Sequence, residues 1–212
     1  GKSTGAGAPQ KSRAAFASCE ISGVIDDLTE TFPYTSSGTQ WSGFTDRVMG
    51  GVSMGTLTKE EVLGLHGSED VETAKRHYYS LKGRVSLANN GGFIQMATDL
   101  SNDMSNKFTV DASEWDGVEL DVRSKLTENY NVHLKNDNCS RQFSSYRASF
   151  MVEEGASWQT IRLPWSDFQG KGPGAEGVPF DPTTLRRLGI VAIGKEMTVD
   201  LDVAGVRFYS VF

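Results

Sequence analysis

Cysteine and histidine are scarce in this chain, with two of the first and three of the second among 212 residues. Two cysteines cannot form the disulfide framework of a small secreted domain, and no Cys-x-x-Cys spacing indicates a zinc site. We therefore expect Cys19 and Cys139 to be free thiols in a reducing compartment, with one bridge between them as the alternative. No histidine has metal-ligand spacing to another histidine or cysteine, so no metal site is predicted.

Long apolar segments and clusters of basic residues are missing as well. No run approaches the roughly 18 apolar residues that cross a bilayer, so we expect a soluble protein, or a peripheral membrane protein at most. The net charge is −6, and no basic stripe with interleaved aromatic residues occurs. Phosphate contacts require clustered lysine and arginine, so the acidic balance argues against a nucleic-acid partner.

The N-terminal segment differs from the rest of the chain. Its first 19 residues are rich in glycine, serine and alanine and contain three bases but no acid. Such a segment resembles the end of an organellar transit peptide or the arm left after its cleavage, with a disordered tail as the alternative. We predict an extended arm over residues 1–22 and a β-sandwich domain over residues 23–212. The residues of the arm predicted to contact a partner are Lys2, Lys11, Arg13 and Phe16.

Apolar and polar residues alternate along most of the remaining chain. In residues 118–123 the apolar side chains share one face and the charged side chains share the other, which is typical of a half-buried antiparallel strand. Strands are predicted over residues 93–97, 118–123, 130–135, 146–152, 158–163, 188–193, 199–203 and 206–211. Many short strands separated by glycine-rich turns predict an all-β fold, namely a jelly-roll β-sandwich.

Helix signals are few. The capping-box spacing of Thr58–Glu61 predicts one short helix that ends at Gly64, and proline after Asp181 predicts one or two further helical turns. Residues 64–78 are polar without a clear period and are predicted to form a loop. The fold class is therefore all-β with one or two short helices.

Residue types that carry catalysis occur here without the spacing that catalysis needs. The glycines after Met49 lack the Lys-Ser/Thr of a nucleotide-binding loop, so we interpret them as sites of tight backbone turning beside the core. Either Asp46 or Arg47 is expected to anchor that turn by hydrogen bonds. His133 lies between Val132 and Leu134 and is predicted to be a solvated histidine on the polar face of its strand.

Two alternatives to a purely structural role are open at this point. Glu119 and Asp121 form a weak candidate acid pair for glycoside hydrolysis. The aromatic side chains of Trp158, Trp165 and Phe168 either stack on a sugar or fill the core and edge of the sandwich.

A regular strand cannot bury the side chains of both Trp158 and Ile161 on one face, because the two positions lie an odd number of residues apart. One of the two must face outward, or the strand must contain a bulge.

Several sequence blocks, taken in order, carry a resemblance to a known family. Trp41 and residues 46–53 come first, residues 81–93 and 115–120 follow, and residues 158–168 and 199–208 complete the order. In this order the blocks resemble the domain of the complex I intermediate-associated protein family. The residues that carry the motifs, predicted to be structural, are Trp41, Asp46, Arg47, Met49, Gly50, Gly51, Gly91, Gly92, Phe93, Trp158, Pro164 and Phe168.

The resemblance implies a galactose-binding-like jelly roll related to carbohydrate-binding modules, with no catalysis and no cofactor. Members of the family help to assemble or stabilise membrane-bound respiratory complexes, and plastid relatives are linked to photosynthetic complexes. The expected function is that of a non-enzymatic assembly factor or accessory linker subunit of an organellar complex, in the plastid or mitochondrion, whose partners are protein subunits.

Other functions remain open beside this one. A carbohydrate-binding module would require exposed aromatic rings beside Asn131, His133 and Lys135. A pigment attached covalently at Cys19 or Cys139 is a minor alternative to the absence of any cofactor.

Overall fold

Most of the regular structure in the described residues is β-strand, and one short helix precedes it. The computed structural model describes residues 18–62, 76–105 and 107–212. A helix, α1, covers Ser18–Ser22. The strands are β1 Val24–Asp26, β2 Trp41–Thr45, β3 Met54–Val62, β4 Arg76–Val85, β5 Phe93–Asp99, β6 Gly117–Ser124, β7 Glu128–Asn136, β8 Ser145–Val152, β9 Gly155–Pro164, β10 Gln169–Lys171, β11 Leu185–Ile193 and β12 Met197–Tyr209.

The strands form two antiparallel sheets that pack face to face. The first sheet has the order β3-β4-β12-β6-β9, with β1 paired to β12, and the second has the order β10-β8-β7-β11-β5-β2. All eight predicted strand segments lie in strands, although the last two belong to the single strand β12, which ends at Tyr209. The predicted all-β sandwich is thus confirmed.

The core lies between the two sheets and is built from the alternating apolar positions. In β6, for example, Val118, Leu120 and Val122 are inaccessible to solvent. Burial of such side chains stabilises each by about 1.5–3 kcal/mol relative to exposure. Cys19 of α1 is also fully buried in this core. The boundary between arm and domain at residue 22 stays a prediction, and the four arm residues predicted to bind a partner lie outside the described residues.

One predicted helix is wrong. Residues 58–61 belong to β3, which pairs with β4 over nine residues from Met54↔Arg84 to Val62↔Arg76. The hydroxyl of Thr58 donates to the carboxylate of Glu60 at 2.9 Å and caps no helix. Pairing with a neighbouring strand has outweighed the local capping signal, which is a weak prior by itself.

The turn predicted after Asp181 is confirmed as a single 3-10 turn over Pro182–Thr184. Its start is capped by the Asp181 carboxylate, which accepts from the Thr183 amide at 2.9 Å. The predicted loop over residues 64–78 is wrong at its end, because residues 76–78 belong to β4, and the rest of it lies outside the described residues.

Two expectations drawn from composition can also be compared with the structure. Both cysteines are free, as expected. Within the ranges that the structure describes, no helix has the length and apolar character needed to cross a membrane.

Candidate functional site

The two glycine-containing blocks of the sequence meet at the buried carboxylate of Asp46. One of its oxygens accepts from the Ser53 amide at 2.9 Å, and the other accepts from the Ser53 hydroxyl at 2.6 Å and the Gly92 amide at 2.5 Å. Burial alone would raise the pKa of Asp46, but these hydrogen bonds and one from the Phe93 amide outweigh it and hold the pKa below its usual range. We call this arrangement the Asp46 clasp.

The clasp requires glycine at two positions. A Cβ atom on either Gly51 or Gly91 would lie 2.3 Å from the Asp46 carboxyl group. Gly50 has φ +86 and ends the 3-10 turn Asp46–Met49. Of the two residues expected to anchor the turn, Asp46 does so, while Arg47 is exposed. The prediction that the glycines permit the tight backbone is confirmed.

The outer face of the second sheet carries a groove of about 480 Å³. Its floor comes from β2, β5, β7, β8 and β11, and its rims come from the 3-10 turn of the clasp and from residues 142–143. At one end, which we call the apolar end, lie Phe44, Val48, Met49, Phe93 and Ile193. At the other, which we call the cationic end, lie Lys135, Phe143, Arg147 and Arg187.

Strand pairing brings the three basic side chains of the cationic end together. Lys135 stands opposite Arg187 on β11, and Arg147 stands opposite His133 on β7. Arg187 forms an ion pair with Asp99 at 3.0 Å. Among the residues that the structure describes, no acidic one lines the groove itself.

Lys135 and Arg147 bind only uncharged acceptors. The Lys135 ammonium donates to the carbonyl oxygens of Gln142 and Ser144, and the Arg147 guanidinium donates to the Ser145 hydroxyl and the Phe143 carbonyl oxygen. Burial lowers the pKa of both side chains, and the pKa of Lys135 is lowered further by its cationic neighbours. These two positive charges therefore lack a compensating anion among the described residues.

His133 lies on the floor of the groove and is only 8% exposed. Its Nε2 atom is buried and has no hydrogen-bond partner in the part of the chain that the structure describes. Burial, together with the charges of Arg147 and Lys135, lowers the pKa of His133 to about 3, so the ring is neutral near pH 7. The prediction of a solvated histidine is wrong, because the side chain is buried between Arg147 of β8 and Gly189 of β11, its partners on the two neighbouring strands.

The apolar end is presented to solvent by the clasp. Val48 and Met49 are 66% and 65% exposed. Behind them the rings of Phe44 and Phe93 pack edge to face, with centroids 6.1 Å apart. Met49, predicted to be structural, is thus a surface residue of the groove, and its exposure could not be deduced from the strand pattern because it lies in a turn.

Two other motif residues lie in the core. Trp41 is buried, and its indole nitrogen donates to the Asp26 carboxylate at 2.6 Å. Phe168 is buried and packs with Trp165 and Phe180. Pro164 ends β9 opposite Gly117 of β6.

The outward-facing aromatic residue of β9 is Trp158. Ile161 packs against the core, whereas the guanidinium carbon of Arg123 lies 4.5 Å from the centroid of the Trp158 ring. The prediction that one of the two side chains faces outward is therefore confirmed. Sequence reasoning missed Asp26, which accepts from Trp41, Tyr79 and the Leu28 amide. An acid at the end of a three-residue strand carries no pattern that could have indicated it.

The acids proposed for hydrolysis are engaged elsewhere. Arg207 forms ion pairs with both Glu119 and Asp121, and Arg162 binds Glu119 as well. No three metal-ligating side chains lie together among the residues that the structure covers. These two acids have the role of structural ion pairs on the outer face of the first sheet.

Comparison with known families decides the relationship. The family described as "Complex I intermediate-associated protein 30 (CIA30)" matches residues 31–203. The chain belongs to this CIA30 family. The match includes both halves of the clasp and the strands of the groove. No curated protein sequence matches the chain.

Solved structures show the same fold at low sequence identity. A family 11 carbohydrate-binding module from Clostridium thermocellum, in complex with a β-1,3-1,4-mixed-linked tetrasaccharide, is 15% identical with a TM-score of 0.57, covering 89% of this chain and 95% of that chain. An exo-β-agarase is 10% identical with a TM-score of 0.53, covering 89% of this chain and 25% of that one. The similarity shows the predicted jelly-roll fold of these modules.

Proposed function

We propose that this CIA30-family chain is a non-enzymatic assembly factor or accessory linker subunit of an organellar membrane-associated energy-transducing complex. The observation that carries the proposal is the family match over residues 31–203, whose description names an intermediate of complex I. Respiratory complex I in the mitochondrion is the client this match favours. A photosynthetic complex of the plastid rests on the sequence resemblance alone. Partners are protein subunits, and no cofactor takes part.

Side-chain chemistry supports binding over catalysis. His133 in the groove is buried and neutral, and Glu119, which was considered for hydrolysis, forms ion pairs with Arg162 and Arg207. The groove offers exposed apolar side chains and basic groups instead, which are typical of a binding surface. The arm over residues 1–22, with Lys2, Lys11, Arg13 and Phe16, is proposed as a second contact, because a segment that orders on binding can wrap a large partner surface.

Native co-purification tests this function. The chain, tagged in the source organism, is isolated from mitochondria and plastids, resolved by native electrophoresis and identified by mass spectrometry. Association with partial assemblies alone would indicate an assembly factor, and stoichiometric association with the mature complex would indicate a permanent subunit. Recovery of no respiratory or photosynthetic subunit, together with unchanged complex levels when the chain is deleted, would contradict the proposal.

A carbohydrate-binding module is the second candidate function. It is favoured by one observation, the Phe143 ring, which is 59% exposed and lies beside Lys135 in the groove. Phe44 and Phe93 meet edge to face and therefore offer no shared flat platform for a sugar. A glycan array with the full chain separates the two functions, since specific glycan binding at the groove would favour the module.

A further inference from the structure

The positive charge of the groove indicates that its occupant carries a negative charge. The whole chain carries −6, yet the described residues that line the groove include three basic side chains and no acid. Lys135 and Arg147 donate to neutral acceptors, and Arg187 is paired with the carboxylate of Asp99. The carboxylate of Asp167 lies in a neighbouring hollow that Arg147 also lines. Half-buried like charges disfavour one another, and an anion placed between them would relieve that cost.

A second, independent observation lies on the floor of the same groove. The Nε2 atom of His133 is buried without a hydrogen-bond partner in the described chain. Buried polar atoms are nearly always satisfied, so an unsatisfied one calls for a partner from outside. A polar group of a bound segment, entering beside Arg147, would supply it after a small movement of the ring.

The length and polarity of the groove define the shape of the occupant. Along β11, Ile193 at the apolar end lies six residue steps from Arg187, which pairs with Lys135, and four from Gly189, which pairs with His133 beside Arg147; these steps correspond to about 13–20 Å. The guanidinium of Arg187 reaches toward the apolar end and lies 5.8 Å from the Phe44 ring centroid. Met49 and Val48 stand exposed at the apolar end on the rigid clasp. An extended peptide of about four to six residues spans such a distance.

We propose that the groove binds an extended segment of a partner protein in which a carboxylate contacts Lys135 and Arg147 and a bulky apolar side chain contacts Met49 and Phe93. This inference rests on the proposed function and names the chemistry of the partner. The aliphatic side chains of Val48, Met49 and Ile193 at the apolar end suit an apolar residue of the partner, because methionine adapts its shape to varied partners. These side chains offer no flat surface on which a sugar ring could stack.

Photo-crosslinking in intact organelles tests the proposal. p-Benzoylphenylalanine replaces Phe143 in one full-length variant and Met49 in another, and the crosslinked peptides are sequenced. We expect the Phe143 crosslinks to map beside aspartate or glutamate. The Met49 crosslinks should map to a bulky apolar residue within about six positions of it on the same segment. A crosslinker at Met104, which is 78% exposed and outside the groove, is the control.

Substitutions in the groove measure how much each contact contributes to capture of the partner. Arg147→Gln should reduce capture of the partner about tenfold or more, whereas Arg147→Lys, which keeps the charge, should retain most of it. Met49→Glu should also reduce capture, and its 65% exposure protects the fold from the change. Arg84→Gln on the exposed face of β4 and Met104→Glu are the matched controls, and both should capture as wild type.

The outcomes separate this inference from the function on which it rests. If complex subunits co-purify equally with wild type, Arg147→Gln and Met49→Glu, the groove inference is overturned while the proposed function stands. If subunits co-purify with none of them, both fail. Purified chain that binds the mixed-linked tetrasaccharide, or vesicles with anionic phospholipid, and loses that binding in Arg147→Gln would assign the groove to a sugar or a membrane and overturn the peptide.

Discussion

Asp46 has lost all contact with water, so the donors that face it determine its charge. Replacing it by asparagine keeps the size but puts an NH₂ group against the amide of Gly92 or of Ser53. We expect Asp46→Asn to lower the free energy of unfolding by about 2–4 kcal/mol in urea at pH 7. Asp137→Asn, at an exposed ion pair, should change it by less than about 1 kcal/mol.

The same carboxylate contributes a pH dependence of known sign. Its pKa is held below the ordinary value, so its contribution to stability is present above pH about 4 and is lost as pH falls through the folded-state pKa. Asp46→Asn should therefore flatten the loss of stability below pH about 4. An unchanged acid slope in this variant would contradict the role given to the clasp.

Gly51 offers a test of the close approach in the clasp. A methyl group there would meet the Asp46 carboxyl carbon at 2.3 Å, and that carboxylate is fixed by its donors. Gly51→Ala should lower the thermal midpoint by an amount equivalent to about 2–3 kcal/mol. Gly155→Ala, where no atom lies within 4 Å, is the control and should stay near wild type. Similar losses for both would show that chain flexibility, and not contact with Asp46, decides the effect.

His133 makes stability depend on pH in a different window. Its folded-state pKa of about 3 lies below the ordinary value of about 6.5, so the unfolded chain binds more protons between these limits. Stability should fall as pH decreases from about 6.5 toward 3, by up to about 1.4 kcal/mol per pH unit. His133→Gln should remove that slope in urea unfolding between pH 7.5 and 4.5, and an NMR titration should find the ring neutral at pH 5. A ring that protonates near pH 6.5 would disprove its burial.

At the scale of the elements, an aromatic cluster holds the long connection between β10 and β11. Phe180 packs on Phe168, Trp165 and Tyr146 with centroids 5.1–5.4 Å apart. Phe180→Ala should reduce the free energy of unfolding by about 2–3 kcal/mol.

Phe143→Ala is the matched variant for that experiment. Its ring is 59% exposed, so stability should change by less than about 1 kcal/mol while partner capture falls. Equal destabilisation by the two variants would mean that Phe143 is packed in solution.

Most strands could be predicted from the sequence, because period-two alternation records which face is buried. The alternation of β6 shows this clearly, since its inward residues are apolar and its outward residues Glu119 and Asp121 form ion pairs. The capping-box spacing of Thr58–Glu61 predicts a helix, whereas the strand that forms there depends on pairing with residues of β4 about 20 positions away. Such long-range pairing leaves no local signal.

The candidate site was less predictable than the fold. His133 fits the polar face of β7, but its burial depends on its neighbours in the sheet, Arg147 of β8 and Gly189 of β11, which the sequence of β7 cannot show. Asp46 and Gly92 could be identified as separate turn residues, whereas their contact, which joins positions 46 residues apart, required the tertiary fold.

For the molecule as a whole, Cys19 reports on the integrity of the sandwich. Burial raises the pKa of its thiol to about 12 and shields it within the core. In the native protein, Ellman's reagent should therefore label Cys139, which is half-buried, and should label Cys19 only after global unfolding in guanidinium chloride. Rapid labelling of both thiols, checked against Cys139→Ser, would show that α1 detaches from the core.

The Asp46 clasp has a kinetic consequence. Because the rim beside the groove is fixed by hydrogen bonds within the chain, it has no rearrangement to complete when a segment arrives. The conformational entropy lost on binding is then mainly that of the incoming segment, and the association rate is limited by the frequency of encounters. For the partner segment proposed above, such a surface would favour fast association without a conformational step in this chain.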